Sequence, residues 1–208
     1  MLHSIANYLF LNCSFYSFFR TLLRPARERI KLARFSVVWR HNNTHNLTSV
    51  NSIFPIHKVK IGRYTYGELN VHYFGTNNEG LEIGDFCSIA DNVHFILGGN
   101  HQMDTISTYP FYEHTFHDTN IIEDDTHYMS SKGKIIVDSD VWFGHGVIVL
   151  SGSHIGQGAV IGAGSVVAQD IPPYAIFCKN KVIKFRFDEI IRNELQSILD
   201  WGGVIVIN

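Results

Sequence analysis

The sequence has few of the features that mark several large classes of protein. Only 17% of its 208 residues are charged, the net charge is −2, and Cys13, Cys87 and Cys178 lie far apart with no C-x-x-C pair. Dedicated nucleic-acid binders carry a basic excess, and disulfide frameworks or structural zinc sites need closely spaced cysteines. We therefore expect no nucleic acid partner and no metal. A reducing cytoplasm fits the cysteine usage, and the length fits one domain with appendages.

Charge is unevenly distributed, with a basic segment near the N-terminus. Residues 20–40 hold seven Lys and Arg against one acid, Glu28. Residues 1–19 are apolar and aromatic, but they are too short and too polar for a membrane span and lack the leading positive charge of a secretory signal. We expect residues 1–48 to form a basic helical extension. Through residues 1–40 it could lie on the inner face of a membrane; alternatively its apolar face packs on the body or on another subunit.

The strongest pattern is a repeat of six residues. Large apolar residues recur at every sixth position, and a small or β-branched residue follows four positions after each. The first set is Val137, Phe143, Val149, Ile155, Ile161 and Val167, and the second is Val141, Val147, Ser153, Ala159, Ser165 and Ile171. The same phase appears upstream at Ile83, Ile89 and Phe95, and one more copy begins at Ile61, which lies outside this phase because it precedes Ile83 by 22 residues. A period of six fits neither an amphipathic helix nor a coiled coil.

This repeat predicts a mainly β protein built as a parallel β-helix, with three six-residue faces in each coil. We place the β-helix over residues 49–175 and a C-terminal segment with a helix over 176–208. The repeat should end at Pro172-Pro173, because proline cannot donate to a ladder. It vanishes over 102–134, an acidic stretch without Lys or Arg before Lys132. Loops of that length are usually functional or disordered, and this one is well placed to line one side of a binding site.

One segment resembles a known family. Residues 98–111 read Gly-Gly-Asn-His-Gln-Met-Asp-Thr-Ile-Ser-Thr-Tyr-Pro-Phe. This resembles the signature of the xenobiotic acetyltransferase branch of hexapeptide-repeat acyltransferases, which includes type B chloramphenicol and streptogramin acetyltransferases and relatives in surface-polysaccharide gene clusters. The resemblance implies a left-handed β-helix and a homotrimer with sites between adjacent subunits. It also implies acetyl-CoA as donor, transfer to a hydroxyl, and His101 as the catalytic base.

The chemistry of a hydroxyl acceptor supports that role for His101 independently. A hydroxyl is a poor nucleophile at neutral pH, and a neutral imidazole can take its proton during attack on a thioester. The positions that match the family near the cofactor groove are Trp142, Gly144, Gly162 and Ala163, and basic Lys181 and Lys184 would meet the phosphates of coenzyme A. The candidates for acceptor binding are Tyr66, Asp104, Tyr109 and Phe111, although packing under the loop or capping it explains them equally well. Cys87 is expected in the core.

Together these patterns predict an O-acetyltransferase that acts on a hydroxylated sugar or a lipid-linked glycan precursor. The acetyl group would pass directly from acetyl-CoA to the acceptor in a ternary complex. Two alternatives stay open. One is O-acetylation of an antibiotic such as chloramphenicol or a streptogramin, and the other is a β-helix that has lost catalysis and serves as a trimeric scaffold.

Overall fold

The computed structural model describes residues 2–109 and 129–198, with side chains described for 21–109 and 130–197. A long helix, α1 (Leu2–Asn42), leads into strand β1 (Leu47–Val50), and helix α2 (Glu189–Ile198) closes the described chain. Short strands lie between them: β2 (Val59–Ile61), β3 (Tyr66–His72), β4 (Leu81–Ile83), β5 (Ser88–Ile89), β6 (His94–Ile96), β7 (Asn100–His101), β8 (Met129–Ser130), β9 (Ile135–Val137), β10 (Trp142–Phe143), β11 (Ile148–Leu150), β12 (His154–Ile155), β13 (Val160–Ile161), β14 (Val166–Val167), β15 (Ala175–Cys178) and β16 (Lys181–Phe185).

Most of these strands stack into three parallel ladders that form the faces of a prism. Face 1 contains β2, β4, β9 and β12, face 2 contains β5, β10, β13 and β15, and face 3 contains β6, β11 and β14. Strand β3 crosses a corner, because its start pairs with β5 and its end pairs with β6. Where the repeat is unbroken, paired residues are eighteen apart in sequence, as Val137 is from Ile155. The chain winds as a parallel β-helix, which confirms the predicted fold class.

The first residue of each hexapeptide lies in the core of the prism. All of them are buried, and the rings of Phe95 and Phe143 meet edge to face with centroids 5.7 Å apart. Burial of each such side chain contributes about 1.5–3 kcal/mol to the free energy of folding. The stacked residues are Ile61, Ile83, Ile89, Phe95, Val137, Phe143, Val149, Ile155, Ile161 and Val167. This continuous core holds the corners of the prism in fixed positions.

The β-helix continues past the two prolines at which we expected it to end. Ile171 bridges to Ile155, and β15 then adds another parallel rung beside β13. Pro172 and Pro173 lie at a corner, where a missing N–H breaks no ladder bond, and the Pro172 carbonyl accepts a hydrogen bond from Ala175 N at 3.2 Å. The expected end was therefore wrong. After β15 the chain turns back into β16, which pairs with it antiparallel.

The repeat is interrupted after face 3 of the second coil, where the chain leaves the prism. Strands β7 and β8 pair antiparallel and form a two-stranded stem, and the prism resumes at β9. Ser131 Oγ donates to the Leu97 carbonyl at 2.5 Å, and Asn78 Nδ2 donates to the Ser131 carbonyl at 2.7 Å. These bonds fix the base of the stem. The predicted excursion therefore leaves and rejoins the prism at one corner.

The N-terminal extension is helical, as expected, through α1. Within the described ranges, no helix combines the length and apolar character needed to cross a bilayer.

Candidate active site

His101 lies at the corner between face 3 and face 1, on the first strand of the stem. It follows the Gly98-Gly99 turn and pairs with Met129 across the stem. Its side chain is exposed. The backbone of Gly99 has φ of +84°, a conformation that glycine adopts without penalty. This turn directs the chain away from the prism, and the imidazole therefore projects from the surface beside the excursion.

The hydrogen bonding of the His101 ring fixes its tautomer. Nδ1 lies 2.7 Å from the carbonyl oxygen of Thr108. A carbonyl oxygen can only accept a hydrogen bond, so Nδ1 carries the proton and Nε2 of the neutral ring presents a lone pair. Nε2 has no hydrogen-bond partner among the residues that the structure describes. In the neutral ring this contact leaves Nε2 as the proton acceptor that a general base requires, on a side chain that is exposed.

A buried carboxylate supports the turn before His101. Glu79 is 1% exposed and accepts hydrogen bonds from Phe74 N, Thr76 N and Thr76 Oγ1 at 2.9, 3.1 and 2.8 Å. Its Oε1 would be only 2.5 Å from a Cβ at Gly98, and the Phe74 ring would be 2.7 Å from one at Gly99. The Glu79 loop is therefore packed directly beneath the two glycines, which positions the strand that carries His101.

The acceptor candidates occupy different places. Asp104 and Tyr109 are exposed in the segment that returns to His101, and the group of this segment that contacts the His101 ring is the Thr108 carbonyl. Tyr66 is 51% exposed and lies on face 2. Phe111 lies outside the described residues. The structure therefore brings Asp104 and Tyr109 into the segment beside His101, and it places Tyr66 on another face.

The candidates for donor binding meet at a second corner, between face 2 and face 3. The residues that directly follow the buried Ile89, Phe143, Ile161 and Phe177 of face 2 form a stack that we call the small-residue column: Ala90, Gly144, Gly162 and Cys178. A Cβ at Gly144 would lie 2.6 Å from Ala163 N, and one at Gly162 would lie 3.0 Å from Cys178 Sγ. Because these side chains are absent or small, the corner is narrow along its whole length.

Aromatic and basic candidates flank this column. Trp142 is 57% exposed and points outward from face 2, two residues before Gly144. Lys181 pairs with Cys178 across the β15–β16 hairpin, and Lys184 pairs with Ile176 further along it. Both lysines are exposed. The hairpin therefore presents positive charge at the C-terminal end of the small-residue column.

Two further groups that could have served the chemistry are engaged elsewhere. Cys87 is fully buried, and burial raises the pKa of its thiol to about 12. Such a thiol is not a nucleophile at neutral pH, and Cys87 lies in the core as expected. The Arg186 guanidinium donates to Asp140 Oδ2 at 3.0 Å and to the Gly158 carbonyl at 2.7 Å, so it stabilises the prism.

Sequence reasoning missed the Thr108 carbonyl and Glu79. A backbone oxygen leaves no trace in side-chain patterns, and Glu79 lies outside the repeat. Gly98-Gly99 was the available signal, since adjacent glycines often mark close approach of another group.

Residues 134–169 match the family model described as bacterial transferase hexapeptide (six repeats). A probable macrolide acetyltransferase of Lysinibacillus sphaericus is 40% identical over 140 residues, covering 62% of this chain and 73% of the relative. A chloramphenicol acetyltransferase of Escherichia coli is 34% identical over 158 residues, covering 68% and 73%. Among solved structures, a maltose O-acetyltransferase from Clostridium difficile 630 is 26% identical, with a TM-score of 0.48 over 69% of this chain and 67% of that chain.

The chain belongs to the hexapeptide-repeat acetyltransferases. Within that family it falls in the xenobiotic acetyltransferase branch, as the segment around His101 indicated, and its β-helix is left-handed.

Proposed function

We propose that the protein transfers an acetyl group from acetyl-CoA to a hydroxyl of a glycan or lipid-linked glycan precursor, with His101 as general base. The observation that carries this proposal is the 2.7 Å contact between His101 Nδ1 and the Thr108 carbonyl, since it leaves Nε2 as a proton acceptor on an exposed ring. Membership of the acetyltransferase family supports the reaction class.

The reaction follows from this arrangement. His101 Nε2 removes the proton of the acceptor hydroxyl while the oxygen attacks the thioester carbon of acetyl-CoA. The tetrahedral intermediate collapses, the carbon–sulfur bond breaks, and coenzyme A leaves as a thiolate. The imidazolium returns its proton to that thiolate. A correctly placed base of this kind contributes about 10²- to 10⁴-fold to the rate.

The small-residue column fits the donor. The pantetheine arm of coenzyme A is long and thin, and Gly144 and Gly162 form a corner without side chains along which it can lie. Trp142 lies beside this corner. Lys181 and Lys184 lie at its C-terminal end, where their charges can bind the phosphates of coenzyme A. This column and His101 lie at different corners of one protomer. The proposal therefore places each site between two copies, so that the donor groove of one protomer faces the His101 corner of its neighbour.

The outward surfaces of the three faces support assembly into a trimer. Face 1 carries ion pairs, with Lys134 Nζ 2.8 Å from Glu82 Oε1, and the pKa of Glu82 is lowered chiefly by this hydrogen bond. The outward ladders of the other faces are largely apolar, with Trp142, Val160 and Ile176 on face 2 and Ile148, Val166, Ile96 and Leu150 on face 3. A charged face is stable when exposed to water, whereas apolar ladders are stabilised when neighbouring copies bury them. Faces 2 and 3 are the expected interfaces.

A glycan acceptor is supported by the aromatic and polar groups beside His101. Tyr109 is 50% exposed, and a phenol ring of this kind offers a flat surface on which a sugar ring can stack. Exposed Asp104 in the same segment can accept hydrogen bonds from sugar hydroxyls. Tyr66 and Phe111 remain acceptor candidates from the sequence.

A second candidate function is O-acetylation of an antibiotic. The matched relatives are named as chloramphenicol and macrolide acetyltransferases, and this favours a drug acceptor as directly as the site favours a sugar.

Acetyl transfer to a panel of acceptors separates these functions. Release of coenzyme A from acetyl-CoA would be followed with sugars, nucleotide sugars, a lipid-linked glycan, chloramphenicol, a group A streptogramin and a macrolide. We expect the highest kcat/KM with a glycan acceptor. Fast turnover of a drug alone would establish the second function, and turnover of nothing in the panel by a folded trimer that binds acetyl-CoA would favour the scaffold.

A further inference from the structure

Helix α1 is attached to the prism only near its C-terminal end, within the part of the helix whose side chains are described. Trp39 is 1% exposed, its Nε1 donates to Thr48 Oγ1 at 3.1 Å, and its ring meets Phe54 edge to face. The Arg40 guanidinium donates to the carbonyls of Thr48, Asn43 and Asn46. Residues 21–31 are exposed throughout. The last two turns therefore anchor the helix, and residues 22–31 are exposed before this anchor.

A basic stripe runs along this exposed part. Arg24, Arg27, Lys31 and Arg34 follow one another at intervals of three and four residues, which places them on one side of a helix. All four are exposed. The acid in this part of the helix, Glu28, pairs with Lys31 at 2.9 Å. The stripe therefore carries a net positive charge along about three turns.

An apolar stripe lies beside the basic one. Its members also follow at intervals of three and four, and they are Leu23, Ala26, Ile30, Ala33 and Val37. Ile30 is 53% exposed and Val37 is 72% exposed. Arg29 borders this stripe on the side opposite the basic stripe, as the period of 3.6 residues dictates. The helix thus presents an apolar sector with cations on both flanks.

Two kinds of partner can cover such a sector, namely a second copy of the helix or a lipid surface. If copies of α1 paired through the apolar stripe, Arg27 and Arg34 would occupy one flank of the seam and Arg29 the other. A parallel pair would bring Arg29 of one helix to Arg34 of the other, and an antiparallel pair would bring like flanks together. Both orientations oppose cations, which is destabilising. An anionic bilayer surface accepts the apolar sector and attracts cations on both flanks.

We propose that residues 21–38 of α1 bind the surface of a bilayer that contains anionic phospholipid, with the apolar stripe in the interface and the basic stripe against the headgroups. This would hold the prism beside the membrane through the Trp39 and Arg40 anchor. The proposal rests on the charge and exposure of the helix and is independent of the transferase reaction.

The test is binding of the full chain to vesicles, measured by flotation without either substrate. Vesicles of phosphatidylcholine would be compared with vesicles in which phosphatidylglycerol replaces part of it, and we expect binding to the second only. The variant Arg24→Gln/Arg27→Gln/Arg34→Gln should bind about 100-fold more weakly, since each cation near the surface contributes about fivefold. The matched control, Lys58→Gln/Lys60→Gln/Lys134→Gln, removes three cations near face 1 and should bind like the wild type.

A second variant tests the apolar stripe against the alternative partner. Ile30→Ser/Val37→Ser should weaken vesicle binding while leaving the molar mass by light scattering unchanged. Both side chains are exposed, so circular dichroism should match the wild type. Equal binding to both vesicle types, or unchanged binding of the arginine variant, would overturn the proposal. A changed molar mass with vesicle binding intact would overturn it as well and would assign the stripe to contact between copies.

Discussion

His101 Nδ1 and the carbonyl oxygen of Thr108 lie 2.7 Å apart across the turn that follows the stem strand. The contact joins the ring to the backbone seven residues further along, so the segment 101–108 closes on its own first residue. It orients the ring and selects the tautomer in one bond. A change in the path of this segment would therefore reorient the His101 ring without a substitution of the histidine itself.

We expect His101→Ala to lower kcat by about 10²- to 10⁴-fold and to leave the Kd of acetyl-CoA nearly unchanged, because the base acts on the acceptor proton. Steady-state kinetics and calorimetry measure the two quantities. His154→Ala is the matched control, since His154 is an exposed histidine of face 1 that contacts Asp138. Near-wild-type turnover of the His101 variant would refute the assignment of the base.

The donor groove can be tested by filling it. Ala163→Trp places a large ring where Gly144 and Ala163 meet, and we expect the Kd of acetyl-CoA to rise about tenfold or more, equivalent to about 1.4 kcal/mol. Ile136→Trp is the control, because Ile136 is an exposed apolar residue on the outward side of face 1, away from both corners assigned to the site. Light scattering should give the same molar mass for both variants. If both bound the donor like the wild type, the groove would lie elsewhere.

The cysteines provide a chemical footprint of the same groove. In a Cys13→Ser background we expect Cys178, which is partly exposed at the end of the small-residue column, to react with an alkylating reagent, and acetyl-CoA to slow the reaction. Cys87 serves as the internal control, since it is buried and its thiol has a pKa of about 12. Mass spectrometry follows both sites. Alkylation of Cys178 at one rate with and without saturating acetyl-CoA would argue against a donor bound along the column.

The packing of Glu79 under the glycine turn predicts an effect on stability. In Gly98→Ala the new Cβ would lie 2.5 Å from Glu79 Oε1, so the carboxylate or the turn must move and its buried hydrogen bonds weaken. We expect a loss of about 1–3 kcal/mol in the free energy of unfolding and reduced kcat. Gly80→Ala should have a smaller effect, because its Cβ meets the flexible Lys134 side chain at 3.0 Å. Denaturant unfolding of both variants provides the comparison, and equal losses would contradict this account.

A pair of histidines predicts a dependence of stability on pH. His72 Nε2 lies 2.9 Å from His94 Nδ1, and the pKa of His72 is lowered from its ordinary value of 6.5 by burial and by the charge of His94. The unfolded chain therefore binds more protons, so the stability that His72 contributes is complete above pH 6.5 and is lost as the pH falls toward its folded pKa. Thermal midpoints should fall less steeply below this pH in His72→Asn than in the wild type. The control His57→Asn, at an exposed histidine, should show the same dependence of the thermal midpoint on pH as the wild type. If all three proteins showed the same dependence, the His72–His94 pair would not be its cause.

The repeat predicted the prism well because the period of six is a direct consequence of its geometry. Each first-position residue, such as Ile83 or Phe143, must point inward for its coil to bury apolar surface. The sequence therefore shows an apolar residue at this position in every coil. The continuation past Pro172 was not predictable from that rule. Proline excludes a ladder position but is tolerated at a corner, and sequence alone does not distinguish the two.

The site was only partly predictable from the sequence. His101 stood out because it lies in a segment that resembles a family, whereas its partner is a backbone oxygen of Thr108 that any residue could supply. The donor candidates Gly144 and Gly162 were visible because corners need small residues. In one protomer these glycines lie at a different corner of the prism from His101. The sequence does not show this separation, because it depends on the face after which the excursion leaves, and only the strand pairing identifies that face.

The hairpin of β15 and β16 also bears on how the molecule behaves in solution. A ladder of parallel strands ends in unpaired N–H and C=O groups, and two such ends can join and grow into a fibre. Here the last strand folds back antiparallel and presents Lys181 and Lys184 beyond the final rung. The edge of β15, which could otherwise template another molecule, is already paired with β16, and two ends that both carry these lysines would repel each other. The same lysines offered above to coenzyme A would thus also protect the protein from polymerising end to end.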